Sequence, residues 1–294
     1  MRALAVLSGK GGTGKTSVTA ALASLLAPIL TVDCDVDAAN LGLLLPGPEG
    51  PGVPAAAGLS VRVERDACNG CLRCVEVCRF GAVRMLDGRA LIDAARCEGC
   101  TACAISCPVG AIELSTRVAG QYWVRETAHG PLVHAELEVG RDNSGHVVSI
   151  LLQRARQLAA ERANDLALLD GPPGIGCPVH ATLSGATAVL LVAEASRFGL
   201  HDVERALAVS RPFTERLGLV VNRADLWPEG TRQLERLAAS QGMDLVARLP
   251  FDRRVPELLA RRQLLLELDG PMRSGLELTA EWARGALRAE QGAA

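Results

Sequence analysis

Residues 9–16 read Gly-Lys-Gly-Gly-Thr-Gly-Lys-Thr and match the pattern G-x-x-x-x-G-K-[ST]. The apolar run Arg2–Leu7 precedes this octapeptide, and an alanine- and leucine-rich stretch follows it to about Leu26. We therefore predict a buried strand, a glycine-rich turn and a helix in that order. Glycines let backbone N–H groups point inward at the helix N-terminus, where they bind phosphate oxygens. The stretch thus predicts a phosphate-binding loop.

Strands and helices alternate along much of the remaining chain. A second strand is predicted at 29–33, and strands or hairpins are predicted over 116–139. Further on, the pattern predicts helices at 147–163, 200–210 and 231–241, two more helices after 249, and strands at 166–170, 187–193, 217–221 and 245–249. This alternation predicts an α/β fold with a doubly wound, mostly parallel sheet of the P-loop NTPase type.

Two segments of different composition interrupt the alternation. Residues 46–58 contain four prolines and four glycines in thirteen residues, which predicts a linker instead of a helix or strand. Residues 60–115 hold eight of the ten cysteines, and the pattern that begins at Cys68 recurs 29 residues later at Cys97. We therefore predict that 1–58 and 117–294 form the P-loop domain and that 59–116 is an inserted domain.

Each copy of the repeat reads C-x₂-C-x₂-C-x₃-C, the run of bacterial ferredoxins, in which the fourth cysteine ligates the other cluster. The insertion is thus predicted to be a ferredoxin-like α+β module. Pro108 follows the last cysteine as the pattern asks, whereas Arg79 replaces the first proline. Disulfides and zinc are the alternatives, and the spacing favours two [4Fe–4S] clusters. The predicted ligand sets are Cys68, Cys71, Cys74 and Cys107 for one cluster, and Cys78, Cys97, Cys100 and Cys103 for the other.

Charge and composition argue against several other classes of protein. The chain of 294 residues has 31 basic and 33 acidic side chains, a net charge of −2, which does not favour nucleic-acid binding. Only three Trp, one Tyr and four Phe are present, so base-stacking platforms are not expected either. No apolar run approaches the ~20 residues of a membrane span, and no signal-peptide pattern begins the sequence. We expect a cytoplasmic protein.

Lysine is rare in this chain, because 29 of the 31 basic residues are arginine and the two lysines are Lys10 and Lys15. Residues 10–16, Lys-Gly-Gly-Thr-Gly-Lys-Thr, resemble the deviant phosphate loop of the MinD/ParA/Mrp/nitrogenase-iron-protein superfamily. The stretches 35–41, 142–145, 172–178 and 198–202 are similar to that superfamily as well. The resemblance covers nearly the whole chain and implies an ATPase that dimerises around ATP.

The same resemblance implies roles for residues of the loop. Lys10 would reach the partner subunit's nucleotide and act catalytically, as an arginine finger does. Lys15 would neutralise the β- and γ-phosphates, and Thr16 would ligate Mg²⁺. The loop contacts with the nucleotide are assigned to Gly11, Gly12, Thr13, Gly14, Lys15, Thr16 and Ser17.

Residues outside the loop complete the implied site. Asp35 would orient the attacking water and, with Thr16 and Asp170, form the magnesium site. Asp33 or Asp37 would support Mg²⁺ or the switch segment, although Asp37 fits a helix cap equally well. Asn222, beside Pro250-Phe-Asp252, would recognise adenine.

Two cysteines lie outside the repeat. Cys34 follows a buried strand and is expected to be a small apolar residue. Cys177 stands where the nitrogenase iron protein has a cysteine that ligates a cluster shared across its dimer. No second ligand beside Cys177 is visible in the sequence, so its role stays open.

The leading hypothesis is a nucleotide-switched homodimer, with ATP, Mg²⁺ and two [4Fe–4S] clusters, that couples ATP hydrolysis to electron transfer to a redox client. An iron–sulfur assembly carrier is the alternative, but Mrp-type carriers use a C-terminal C-x-x-C and no cysteine follows Cys177. A MinD/ParA-like spatial regulator is the third possibility. Its membrane anchor would be the amphipathic stretch 271–294, where acidic residues balance the arginines: Glu277, Glu281 and Glu290.

Overall fold

The computed structural model describes residues 1–138 and 144–288. Of the residues considered above, Val139, Asp142, Asn143 and Glu290 lie outside the described part. The described chain divides into two bodies. The first body contains residues 1–53, 121–137 and 144–288, and the second contains residues 54–120 and Glu138.

The strands are short and rich in Val, Leu and Ala, as expected for a sheet that is covered on both faces. The described strands are β1 (Arg2–Ser8), β2 (Leu30–Asp33), β3 (Val53–Val63), β4 (Val83–Leu86), β5 (Arg89–Ile92), β6 (Ile112–Thr127), β7 (Gly130–Leu137), β8 (Leu166–Pro173), β9 (Ala188–Glu194), β10 (Leu217–Asn222) and β11 (Asp244–Leu249).

The main sheet has nine strands in the order β11–β10–β9–β1–β8–β2–β7–β6–β3. Pairing is parallel from β11 through β7, and a two-residue turn then joins β6 to β7 as a hairpin. The predicted doubly wound, mostly parallel α/β sheet is thereby confirmed. Because β1, β8 and β2 are neighbours, the residues that follow their carboxyl ends meet at one edge of the sheet.

Helices alternate with the strands after residue 144, as predicted. The described helices are α1 (Lys15–Leu25), α2 (Leu41–Leu44), α3 (Arg73–Val77), α4 (Ala102–Ile105), α5 (Ser144–Glu161), α6 (Cys177–Leu183), α7 (Gly199–Ser210), α8 (Pro228–Ser240), α9 (Val255–Ala260) and α10 (Pro271–Arg288), with a 3₁₀ turn at Leu265–Glu267.

The predicted linker over 46–58 is wrong for its last six residues, because β3 begins at Val53. Proline is tolerated there since β3 is an edge strand, in which an N–H can be lost without breaking the inner ladder. Ala55 and Ala57 are buried while Ala56 is exposed, which is the alternation of a strand with one covered face. The predicted junctions after residues 58 and 116 therefore fall inside β3 and β6.

The second body has very little apolar core. Its described buried cluster consists of four aliphatic side chains and two thiols: Val61, Val63, Val83, Ala90, Cys74 and Cys103. Further cysteines pack around this cluster, including Cys68, Cys78 and Cys97. A unit of this size with so small a core usually depends on disulfides or metal for its stability.

The C-terminal helix α10 belongs to the core of the first body. It buries one face along its length: Met272, Gly275, Leu276, Thr279, Ala280, Ala283 and Leu287. Its apolar face is thus covered by its own domain. Among the residues that the structure describes, no helix is both long and apolar enough to cross a membrane.

This packing predicts different costs for two leucines of α10. Leu276 is fully buried and Leu278 is 54% exposed. Leu276→Ala should lower the free energy of unfolding by about 3 kcal/mol, because it leaves a cavity in the core, whereas Leu278→Ala should change it by less than about 0.5 kcal/mol. Urea unfolding of the two variants measures the difference. Equal losses would contradict the burial of this face.

Candidate functional site

The phosphate-binding loop lies between β1 and α1, and two of its glycines are required by its shape. Gly12 and Gly14 have φ values of 78° and 93°, which side chains rarely tolerate. A Cβ on Gly14 would also lie 2.5 Å from the side-chain nitrogen of Asn222. The Asn222 amide donates a hydrogen bond to the carbonyl of Thr13 over 2.7 Å. Asn222 therefore braces the loop, and its role in adenine recognition stays a prediction.

A buried ion pair joins the loop to the neighbouring strand. Lys15, which is 6% exposed, donates to Asp170 Oδ1 over 3.1 Å, and Asp170 is fully buried. Thr19, one turn further along α1, donates to the same oxygen over 2.9 Å. Lys15 also contacts the hydroxyl of Thr16 over 3.3 Å and lies 4.0 Å from Asp35. Three predicted site residues thus meet around one amine, and Thr19 is a contact that the sequence did not reveal.

Asp33 supports the segment that carries Asp35. It accepts hydrogen bonds from the backbone N–H groups of Asp35 and Leu41, both over 3.1 Å. Asp37, in contrast, is exposed. Asn40 is the residue that precedes α2, and its side chain makes no capping hydrogen bond; the first N–H of that helix, from Leu41, is bound by Asp33. Of the two aspartates left open by the sequence, Asp33 is the one that holds the segment in place.

The electrostatics of this cluster follow from burial and crowding. Burial and the charge of Asp170 raise the pKa of Asp33 to about 8, although the two N–H donors and Lys15 oppose the change. Burial also raises the pKa of Asp35 against the effect of Lys15. Burial acts to lower the pKa of Lys15, but the nearby aspartates outweigh it and raise that pKa. The site therefore holds more negative than positive groups.

A cleft opens in front of the loop and includes about 1030 Å³ with its mouth. Part of its lining is polar and contains the loop, Asp35 and Asn40. Another part is apolar and consists of Pro250, Phe251, Leu259, Leu265 and Met272. The cleft therefore offers phosphate donors together with an apolar surface.

Lys10 lies in the same loop and has different partners. Its amine is 3.4 Å from Glu194 and donates to the hydroxyl of Ser196 over 3.2 Å. Glu194 also accepts from Arg223 over 2.8 Å. Burial opposes ionisation of Glu194, but Arg223 and Lys10 prevail and lower its pKa. Glu194, Ser196 and Arg223 were missed in the sequence, although the position of Glu194 at the end of a strand was a usable signal.

The chemistry of the donor set fits a magnesium nucleotide. Within the described chain, Asp170 Oδ2 and the hydroxyl of Thr13 are buried and have no hydrogen-bond partner. A carboxylate oxygen and hydroxyls are ligands that Mg²⁺ and its waters accept. The helix N-terminus and the loop N–H groups supply the partners of a phosphate. These features define a P-loop nucleotide-binding domain of the α/β class.

The comparisons with known proteins agree with this class. The model of the CobQ/CobB/MinD/ParA nucleotide binding domain matches residues 4–266, so the chain belongs to that family. The prediction that the chain is an ATPase of the MinD/ParA superfamily is thereby confirmed. The uncharacterized protein MJ0578 of Methanocaldococcus jannaschii is 32% identical over 268 residues, which are 90% of each chain.

Solved structures support the fold. The MinD cell division protein of Aquifex aeolicus matches with a TM-score of 0.57 at 16% identity, covering 97% of both chains. The septum site-determining protein MinD of Pyrococcus horikoshii, complexed with Mg-ADP, matches with a TM-score of 0.57 at 18% identity, covering 95% of this chain and 94% of that one.

In the second body, the eight cysteines of the repeat line two cavities, each including about 340 Å³ with the open space at its mouth. The first cavity is lined by Cys68, Cys71, Cys74 and Cys107. The second is lined by Cys78, Cys97, Cys100 and Cys103. The sulfur-bearing residues thus divide into the two sets that the sequence predicts, including the fourth cysteine that crosses from each copy to the other cavity.

The backbone around the cysteines repeats with the same period of 29 residues. Leu72 and Thr101 both have left-handed φ values, 65° and 64°. The N–H of Ala82 donates to the sulfur of Cys78 over 3.3 Å, and the N–H of Ala111 donates to that of Cys107 over the same distance. The sequence repeat is therefore also a structural repeat, in which equivalent N–H groups point at equivalent sulfurs.

All ten cysteines lie within the described residues, and all are free thiols. Among the side chains that the structure describes, no three His, Cys, Asp or Glu converge as ligands of a single ion. Cys34 is fully buried, and burial raises the pKa of its thiol, as expected of a small apolar residue. Cys177 is exposed at the start of α6.

The buried ion pair predicts that the two lysines of the loop differ in their effect on stability. Lys15→Met should lower the free energy of unfolding by about 3 kcal/mol in the absence of nucleotide, because it leaves Asp170 buried without its counter-charge. Lys10→Met removes a half-exposed pair, and Glu194 keeps Arg223, so the loss should stay below about 1 kcal/mol. Denaturant unfolding compares them, and a larger loss for Lys10→Met would refute this description.

Proposed function

We propose that this protein is an ATP-hydrolysing iron–sulfur protein that holds two [4Fe–4S] clusters in its second body and couples the nucleotide cycle to electron transfer. The observation that carries the proposal is the division of eight cysteines into two cavities with four thiols each. Thiolates are the ligands of such clusters, which supply one-electron chemistry when bound. We infer that residues 59–116 are a ferredoxin-like insertion with Cys68, Cys71, Cys74 and Cys107 around one cluster, and Cys78, Cys97, Cys100 and Cys103 around the other.

Three features support clusters over other uses of the thiols. The equivalent N–H···S hydrogen bonds of Cys78 and Cys107 stabilise a charged sulfur. The small apolar core leaves room for stabilisation by a resident metal group. A single zinc ion needs four sulfurs about 2.3 Å from one point, whereas a cluster takes one thiolate per iron around a larger volume. Four thiols that line one cavity without converging on a single point favour the cluster.

Iron content tests the ligand sets. The wild type, purified without oxygen, should contain about eight iron atoms per chain, since each cluster has four. Cys74→Ser and Cys103→Ser each remove a buried ligand from one cavity and should reduce the content to about four. Cys34→Ser and Cys177→Ser are matched controls outside the cavities and should retain about eight. Stoichiometric zinc in place of iron, or iron loss in the controls alone, would refute the assignment.

On the nucleotide side, we propose that residues of the loop and the strand ends perform the hydrolysis. Loop N–H groups from Gly11 to Ser17 would hold the phosphates, and Lys15 would turn from Asp170 toward the β- and γ-phosphates. Thr16, Asp35 and Asp170 would hold Mg²⁺, which neutralises phosphate charge when bound. Asp35 would also orient the attacking water, while Asn222 and residues 250–252 would contact adenine.

Lys10 would link hydrolysis to dimerisation. Its present partners, Glu194 and Ser196, lie in its own chain and leave the amine 35% exposed. In an ATP-bound homodimer Lys10 would exchange these contacts for the partner subunit's phosphates. Such an exchange costs little because Arg223 continues to neutralise Glu194. ATP would thus favour a dimer that ADP does not, and this dimer would present the second body to a redox client.

The redox potential of the second body tests the coupling. If the ATP-bound dimer prefers one redox state tenfold, the midpoint potential should shift by about 59 mV between MgADP and MgATP. Lys10→Ala should retain nucleotide binding and full iron content but lose the ATP-dependent dimer, hydrolysis and this shift. Anaerobic redox titration followed by EPR measures the potentials. A Lys10→Ala variant with unchanged hydrolysis would refute the role of this lysine in the partner's site.

Two other functions are less well supported. An assembly carrier would release its cluster, whereas each cavity here has four thiols, one of them buried. The second of them is the third hypothesis, a MinD/ParA-like spatial regulator. It is favoured by the likeness to proteins named for cell division. Against membrane anchoring by α10, the apolar face of that helix is buried in the core. If the protein co-sedimented with liposomes in the presence of ATP, that result would favour the spatial-regulator hypothesis.

A further inference from the structure

Each cysteine cavity has one exposed thiol. Cys71 is the exposed member of the first set, and Cys100 is the exposed member of the second. The other six cysteines of the repeat are buried or half-buried. If the proposed clusters are present, these two positions are where an electron has the shortest path between the protein surface and a metal group. They are called the first exit and the second exit.

The residues beside the two exits differ in charge. In the first copy of the repeat, Arg73 follows the first exit by two residues, and Glu76 and Arg79 come later in residues 70–83, whereas the equivalent residues 99–112 contain no charged side chain. In the second copy, alanine, isoleucine and proline take the three charged positions. The repeat is therefore symmetric in its backbone and asymmetric in its surface. The exposed Glu98 lies beside the second exit, so of the two exits it is the first that attracts an acidic partner.

The surface around α3 also has the composition of a docking site. We define the α3 face by its exposed residues Leu72, Arg73, Val77, Arg79 and Phe80. Leu72 is 47% and Phe80 is 49% exposed, so the face presents apolar area. Exposed aromatic residues and arginines are enriched in protein interfaces, where they supply much of the binding energy.

The two arginines of the α3 face have no partner within the described chain. Neither Arg73 nor Arg79 forms an ion pair or a side-chain hydrogen bond there. Three other arginines of the same body are paired with aspartates: Arg65 with Asp87, Arg89 with Asp66, and Arg96 with Asp93. Two unpaired guanidinium groups against one glutamate make the face positive, and guanidinium groups bind carboxylates in a bidentate manner.

We propose that the α3 face docks an acidic one-electron carrier protein at the first exit. This inference rests on the proposed function, because it requires a redox group in the cavity of Cys71. Carboxylates of the carrier would pair with Arg73 and Arg79 around the apolar contact of Leu72 and Phe80. The carrier loses one electron and this protein gains it, with no atom transferred. The second exit has the exposed Glu98 beside it, which disfavours an acidic carrier there.

Charge reversal tests the docking. The variant Arg73→Glu/Arg79→Glu is compared with Arg62→Glu/Arg84→Glu, which makes the same change of net charge at exposed, unpaired arginines on β3 and β4. The probe is a photoreduced acidic flavodoxin, and the measured quantity is the second-order rate constant of its oxidation. At an ionic strength of about 20 mM the first variant should react at least ~10-fold more slowly than wild type, and the control less than ~3-fold.

The salt dependence of the rate and the iron content distinguish a failure of the docking inference from a failure of the proposed function. At about 500 mM the difference between the first variant and the wild type should shrink to within ~2-fold, because salt screens exposed charges. If both variants keep full iron and react alike, the docking inference is overturned while the proposed function stands. If the wild type contains no iron, both are overturned. Calorimetry measures the binding of oxidised flavodoxin to the iron-loaded variants. Arg73→Glu/Arg79→Glu must weaken this binding more than the control Arg62→Glu/Arg84→Glu does.

Discussion

The buried ion pair between Lys15 and Asp170 is the interaction on which the nucleotide site depends. It joins the first helix to the strand beside β1, over a separation of 155 residues in sequence. Asp33 and Asp35 lie close to the same amine, so several carboxylates share one positive charge. Thr19 and backbone N–H groups satisfy Asp170 Oδ1 and both oxygens of Asp33, whereas Asp170 Oδ2 is left without a partner. The remaining negative charge is what makes the site suitable for a divalent cation.

A second set of charges extends this arrangement along the edge of the sheet. Glu194 ends β9, and its two cations come from the loop after β1 and from the residue after β10. The loop is thereby held at both ends: Lys15 binds on one side and Lys10 on the other. The two contacts differ in strength, since one is buried and the other is partly solvated. A ligand can therefore displace Lys10 without disturbing the pair that stabilises the fold.

Local patterns explain which features could be predicted. Strands and helices depend on short-range periodicity, and the loop depends on glycine. The elements that were predicted lie within a few residues of their expected bounds, whereas short ones such as α2 and α6 were not predicted. The edge position of β3 depends on the whole sheet, so a proline-rich stretch was interpreted as a linker. Thr19 and Glu194 contact residues that are far away in sequence. Local sequence patterns do not indicate such contacts, and a threonine within a helix is common without them. The cysteine sets were predictable because the run itself encodes the crossing of the fourth residue.

The position of the two lysines has a consequence for the chemistry of the surface. Every ε-amine of the sequence belongs to the phosphate-binding loop, one of them buried at 6% exposure and the other partly accessible. Arginine provides the other positive side chains and does not react as an amine. Acylation of lysine, by an enzyme or by a reagent, therefore cannot mark this protein without affecting its nucleotide site. Lys10 is the accessible target, and its acylation would remove the charge that Glu194 now holds.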